Sequence, residues 1–537
     1  MANYSNLIAA IKAAIKTNGT QAITGQVLQT QLLNMVGKLG AGYQFGDVVN
    51  PGDTFDSGKY GDVKVFFIAF TPGTYSSSFG GFTVQSGQVV LFLYDGTWRK
   101  QVISYYGNNN VYGIRHYYGQ SSPDVTRIGP AALHQELPIQ SQMRRCVVND
   151  QGGVVYYLSA TDSTKKEDGT SANLTGADGQ VMVEIPRHYR KCSLNSTQGY
   201  MDVEVSLEPF TGAIEVPRYL VSAYEATVDR STDTLKLASV KNTTAAFRGG
   251  NNTADWDGSY RSLLGLPATN ISLTNFRTYG RNRGTGWGCY DWNAHLAIYW
   301  LFVIEYATLN SQKAYNGDLD ENGYHQGGLG PGVSDFTGWD TYNSYNPFIP
   351  CGTTNSLGNK TGVVDYVFNE AQVEAHGAEY TAHVPSYRGI ENPFGHIWKW
   401  TDGVLGVGVN GEYQEIYVCR TPSKYSSSVT DDYKDIGHEA TANGYCKAIR
   451  PSGADVAGKY DQSVRVYGDI FDRDDSGSSS TYFCDYHYHA NTDGSVFGAL
   501  VGGTADSGDT DGLACVYVFN APSSASARIG SRLCWSE

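Results

Sequence analysis

Apolar residues recur at helical spacing over the first 40 residues, at period two through the middle of the chain, and at both periods toward its end. Two helices are predicted within residues 1–40. Ser5 can cap the first, which carries Leu7, Ile8, Ile11 and Ile15 on one stripe and Gly19 near its end. Thr24 can cap the second, where Leu28, Leu32, Met35 and Leu39 keep the four-three-four spacing of a coiled-coil seam. At 1.5 Å per residue that seam is about 22 Å long and marginal alone. It reads as an oligomerising neck, a docking helix, or an ordinary amphipathic helix on its own domain.

Residues 41–105 switch to period two and to turns. The runs at 63–70, 80–85 and 88–100 predict strands, with Asp95-Gly96 as a tight turn, and together a small β module. A Tyr- and Asn-rich joint at 104–113 follows. A β-rich connecting domain is expected over 106–240, with a hairpin at 147–159 and a buried strand at 179–191 that leaves the core at Pro186. Residues 241–537 mix short strands and Gly-rich loops with one clear helix at 291–312. Leu296, Ile298, Trp300, Leu301, Val303 and Ile304 make that helix apolar nearly all round, so it belongs in a core. The fold class expected is α+β and multidomain: N-terminal helices, β-rich middle modules and a larger C-terminal domain.

Composition narrows the function. A chain of 537 residues is long for one domain and points to roughly two to four. A net charge of -14 argues against nucleic acid and anionic membranes as main partners. No stretch approaches the roughly 18 apolar residues of a membrane span. Lys12 and Lys16 interrupt the N-terminal apolar run, so no signal peptide is expected and the chain reads as made in a cytoplasm. Nine cysteines without repeated spacing agree with reduced thiols. The 39 Tyr and 63 Gly, beside abundant Ser and Asn, form the palette of rigid recognition loops. A β-rich protein with many tight turns shares that palette.

Chemical motifs are incomplete. Gly406, Gly408 and Gly411 have the spacing of a dinucleotide site, but the strand-like 412–419 follows them instead of a helix. Asp318, Asp320 and Asn322 before Gly323 begin like an EF-hand, yet Leu329 stands where a bidentate Glu is needed. A looser calcium loop or a solvated turn is left. His438-Glu439 starts a zincin string that Ala442 interrupts. His487 and His489 would share one strand face without an evident third ligand. No nucleophile elbow or phosphate loop is present. A carboxylate pair for glycan cleavage cannot be assembled from sequence. No cofactor and no metal are expected.

Several C-terminal stretches resemble the C-type-lectin-like fold of the formylglycine-generating-enzyme group: 287–312, 328–332, 392–404 and the terminal "IGSRLCW" at 529–535. The combination resembles the variable proteins of diversity-generating retroelements found in gut Bacteroidales and their phages, over roughly residues 240–537. Upstream, 42–49, 66–75 and 89–100 resemble N-terminal modules of Bacteroides phage tail-fibre proteins, and 126–129, 137–150 and 181–191 resemble a connecting region seen with them. The resemblance implies a receptor-binding protein of the phage tail, located in the virion and homotrimeric. Its N-terminal region would contact other tail proteins, and its diversified C-terminal domain would bind a glycan or protein receptor on the bacterial surface. The enzymes of the group use a cysteine pair; Cys484, Cys515 and Cys534 do not match that arrangement. Binding without turnover is therefore expected. A structural tail or baseplate role, or a formylglycine-generating-like or glycan-cleaving activity, is the alternative.

The terminal segment shows which positions would vary. Period two places Ala525, Ala527 and Ile529 on one face of a last strand and Ser524, Ser526 and Arg528 on the other. In 513–520, Ala514, Val516 and Val518 share one face, and Cys515, Tyr517 and Phe519 the other. If the small apolar face is inward, the tip near 504–528 presents Thr504, Asp506, Asp509, Thr510, Asp511, Cys515, Tyr517, Phe519, Asn520, Ser524, Ser526 and Arg528 as a ligand-binding patch. Tyr517 and Phe519 could instead enter a second core or a subunit interface.

Overall fold

The computed structural model describes residues 43–69, 71–84, 88–105, 110–250, 264–315, 349–368, 380–439, 442–449, 459–505 and 507–537. The two expected N-terminal helices, the Asp318–Gly323 stretch, the 328–332 run and Asp506 lie outside these residues. The described chain is mostly β with few helices, and it divides into two compact units.

The first unit runs to Tyr112 and takes in Ile128–Gln135 and Ser206–Phe210. Its sheet has the order Tyr43–Val49, Lys64–Ala69, Gln88–Tyr94, Trp98–Tyr105. The first pair is parallel and the others antiparallel. Gly96, at a φ of 98°, turns the chain between the last two strands as the Asp95-Gly96 dipeptide predicts. Val65, Phe67, Val90 and Phe92 fill one face, and the 71–84 loop closes it with Tyr75 and Phe79.

The second unit holds the remainder. One sheet has six strands in the order Val154–Tyr157, Arg144–Val148, Gln180–Ile185, Tyr219–Ser222, Leu533–Ser536, Trp287–Cys289. Residue 240, expected as a domain boundary, lies inside the second unit. Four strands from before residue 240 and two from after it share this sheet, joined where Tyr219–Ser222 is hydrogen-bonded to the C-terminal Leu533–Ser536. A cut at 240 would expose both edges.

A second sheet carries Lys434–His438, Tyr413–Val418, Trp398–Val409, Val496–Gly502, Gly512–Asn520, Tyr486–His489 and Gly444–Tyr445 in that order, and Ile529–Gly530 pairs with Trp398–Lys399. The glycines that mimic a dinucleotide motif lie in this sheet. Gly406 and Gly408 are inside the Trp398–Val409 strand, and Asn410 and Gly411, both at positive φ, form the turn after it.

The helix Trp292–Tyr306 has twelve buried residues, as its all-round apolar sequence predicts. Asp291 caps it by accepting from Ala294 N at 3.0 Å. It ends six residues before the expected 312, because Ala307 turns left-handed at a φ of 54° and returns its N–H to Val303 O. A second helix, Leu273–Arg281, seats Leu273 and Phe276 in one core with Trp398, Trp400, Leu500, Cys515 and Leu533. Its Arg277 makes a two-pronged ion pair with Asp402, at 2.7 and 2.9 Å.

Candidate functional site

The site grows out of one strand and its neighbours. Gly512–Asn520 runs parallel to Tyr486–His489, in a register that sets Tyr488 beside Tyr517. Tyr486–His489 is in turn paired with Gly444–Tyr445, setting Tyr445 beside Tyr486. Side chains alternate across a strand, so Tyr445, Tyr486, Tyr488, Tyr517 and Phe519 fall on one face. Their rings form an unbroken row. The centroid distances along it are 5.1, 4.5, 5.2 and 5.6 Å. Trp398 anchors the row from the core side, 5.2 Å from Tyr517 and 6.2 Å from Tyr488.

Exposure rises along this face. Cys515 is fully buried, Trp398 is 8% exposed, Tyr517 and Tyr488 are half-buried, and Phe519 is 45% exposed. The same sheet face is therefore core at one end and surface at the other. Phe519 is one of the few large apolar side chains in the described residues that face solvent.

Burial raises the phenol pKa values of Tyr445, Tyr488 and Tyr517. For Tyr445 the Asp509 carboxylate adds to the rise, since its phenol donates to Asp509 Oδ1 at 3.0 Å. The row is thus neutral, with ring faces and hydroxyls to offer. Among the cation–ring contacts of the described residues, none involves these five rings.

The predicted patch residues divide into two groups. Tyr517, Phe519 and the exposed Asp509 belong to the row or its rim, and Thr510 bonds the Tyr488 hydroxyl. Asn520 follows Phe519 and is half-exposed. Thr504, Asp511 and Cys515 do not belong to a surface: all three are buried. Asp511 accepts from Thr504 N at 3.1 Å, and a side chain at Gly503 would run into its carboxylate. Thr504 and Asp511 are thereby tied to each other. Cys515 is outward by period but lies under the Leu273–Arg281 helix core.

The expected last strand over 524–529 is absent. Residues 521–528 are a loop, and only Ile529–Gly530 is strand. Ala525 is exposed, and Ser524, Ser526, Ala527 and Arg528 are all half-buried, so the two-faced split fails there. The backbone of this loop is bonded instead: Ser526 O accepts from Asn270 N at 2.8 Å, and Arg528 O from Trp398 N at 2.9 Å.

On the opposite sheet face, His487 and His489 are both buried. Burial pushes the His487 ring down to about 3. No group of three or more His, Cys, Asp or Glu among the described residues is arranged to hold a metal ion. All nine cysteines are buried, and burial raises every one of their thiols.

No family model matches the chain. No curated protein matches it. Among solved structures it is similar to the Major Tropism Determinant U1 Variant, at 11% identity and a TM-score of 0.24, over 85% of this chain and 82% of that one. A likeness at that level carries neither fold nor function across.

Sequence reading missed Tyr445, Tyr486, Tyr488 and Trp398. The signal was present in "YHYH" at 486–489, where period two puts both tyrosines on one face and both histidines on the other.

Proposed function

We propose that this chain is a receptor-binding protein of a phage tail, and that it meets a ligand on the bacterial surface through the row from Tyr445 to Phe519. The observation that carries the reading is the gradient on one sheet face, from the buried Trp398 and Cys515 to the solvent-facing Phe519. A face whose one end is fixed by a core and whose other end shows aromatic rings is built to present contacts without moving. The sequence resemblance over 240–537 supplies the class: a lectin-like, diversified domain in the virion. A homotrimer would turn weak single contacts into avidity. The reading is of binding without turnover. A thiol raised by burial is a poor nucleophile, and all nine thiols are in that state.

The test is to read the same gene from progeny of one phage lineage. Substitutions are expected at Tyr517, Phe519, Asn520, Ser524, Ser526 and Arg528, with Ala514, Val516, Val518 and Arg532 unchanged. Substitutions spread evenly over buried and exposed positions would refute a diversified tip.

A further inference from the structure

Away from the aromatic row, a cavity of about 700 Å³ opens between the edge strand Trp287–Cys289, the C-terminal strand Leu533–Ser536, the Leu273–Arg281 helix and the 421–425 loop. Its volume lies within the roughly 300–1,000 Å³ of small-ligand sites.

Gly288 creates part of the room. A Cβ placed on it meets nothing within 4 Å, and it is not among the glycines held at positive φ. The backbone there would accept a side chain, and the space is open.

The charged groups around the cavity are already engaged with the protein. Arg277 is paired with Asp402. Asp291 accepts from Tyr425 Oη and Ala294 N. Arg281 donates to the carbonyls of Pro422 and Tyr425 at 3.1 and 3.2 Å. Glu537 lies 3.8 Å from Arg218. Each of these charged side chains thus has a partner within the protein.

What remains uncommitted is neutral. The side chains of Gln151, Thr285, Thr421, Ser423 and Ser536 line the cavity and make no hydrogen bond to a described residue. They offer four hydroxyls and an amide. Trp287, Trp535, Pro422 and Tyr425 add apolar wall. Free hydroxyl and amide partners around aromatic walls, with the lining charged groups already held by partners in the protein, match a ligand that is itself a ring bearing hydroxyls.

We infer that this cavity binds a neutral sugar ring, as a site separate from the aromatic row. The test uses the full chain and defined probes: the methyl pyranosides of glucose, galactose and mannose, N-acetylglucosamine, and glucuronate as the charged comparison. Saturation-transfer NMR and the fluorescence of Trp287 and Trp535 report binding. At least one neutral sugar is expected to bind in the millimolar range, more tightly than glucuronate. Gly288→Leu should weaken it at least about tenfold while the melting curve stays that of the wild type. If Gly288→Leu does not fold, the exposed-rim variant Thr285→Val with Ser423→Ala replaces it, with a loss of affinity again expected. Absence of binding by all neutral sugars overturns the inference. So does preference for glucuronate, or binding indifferent to these variants. Tyr486→Ala serves as the control, since loss of sugar binding in it would place the sugar on the aromatic row instead.

Discussion

Tyr517 is the position where scaffold and surface meet, and its replacement separates the two. The ring is half-buried and touches Trp398, Tyr488 and Phe519 at 5.2, 5.2 and 5.6 Å. An aromatic side chain buries about 150–250 Å² when fully covered. Half of that, at about 25 cal/mol per Å², is about 2–3 kcal/mol. Tyr517→Ala should therefore destabilise the second unit by about 2–3 kcal/mol. This exceeds the change of about 0.5 kcal/mol expected at a plain surface position. Two positions away, Phe519 is 45% exposed, more than Tyr517, so by the same area argument Phe519→Ala should cost less than Tyr517→Ala, about 2 kcal/mol. Two positions the other way, Cys515 is fully buried. Cys515→Tyr should cost about 1–3 kcal/mol or more, because the packed core has no room for a ring. Urea unfolding of the three variants, followed by tryptophan fluorescence, gives the order. The reasoning is refuted if Phe519→Ala is the most destabilising of the three, or if Cys515→Tyr is silent.

Acid should unfold the second unit. His116 and His188 are pushed by burial down to about 4, and His295, His396 and His487 to about 3. Folded pKa values below the unfolded value of about 6.5 mean that the unfolded chain binds more protons, so stability is lost as pH falls below about 6.5. A circular-dichroism titration should show the transition above about pH 4, and a fold intact at pH 3 would contradict it. Asp472 acts in the opposite sense. Burial pushes its carboxyl up to about 7, so its contribution is full below about pH 4 and is lost as pH rises through 7. Asp472→Asn should then remove that contribution to the pH dependence between about pH 4 and 7, read by melting temperature against pH. Arg532 is buried and donates to the carbonyls of Ser222, Glu391 and Asn392. Arg532→Met should cost on the order of 3–5 kcal/mol in urea unfolding, since the carbonyls lose a charged donor inside the protein.

Local periodicity carried the fold only as far as neighbours in sequence decide it. The Asp95-Gly96 hairpin, the end of a strand at Pro186 and the buried helix from Trp292 follow from turn chemistry and apolar spacing. The sharing of one sheet by Tyr219–Ser222 and Leu533–Ser536 does not, because pairing across 300 residues leaves no local mark. The site divided the same way. Tyr517 and Phe519 share a face as period two predicts, but Cys515 obeys the same period and is buried, because it belongs to the core cluster that holds Leu273, Phe276 and Trp398. The alternation at 524–529 misled because Ser and Ala suit a loop as readily as a strand, and the backbone bonds from Asn270 and Trp398 hold it as a loop. Tyr445 joins the row only through its pairing with Tyr486, which no spacing announces.

The most direct measurement is competition for host cells. Purified wild-type protein, added before phage, should lower adsorption in proportion to its concentration. The Tyr486→Ala, Phe519→Ala double variant, checked for a cooperative melting transition, should lose most of that effect. Full competition by the folded double variant would contradict the account and move the receptor site off the aromatic row.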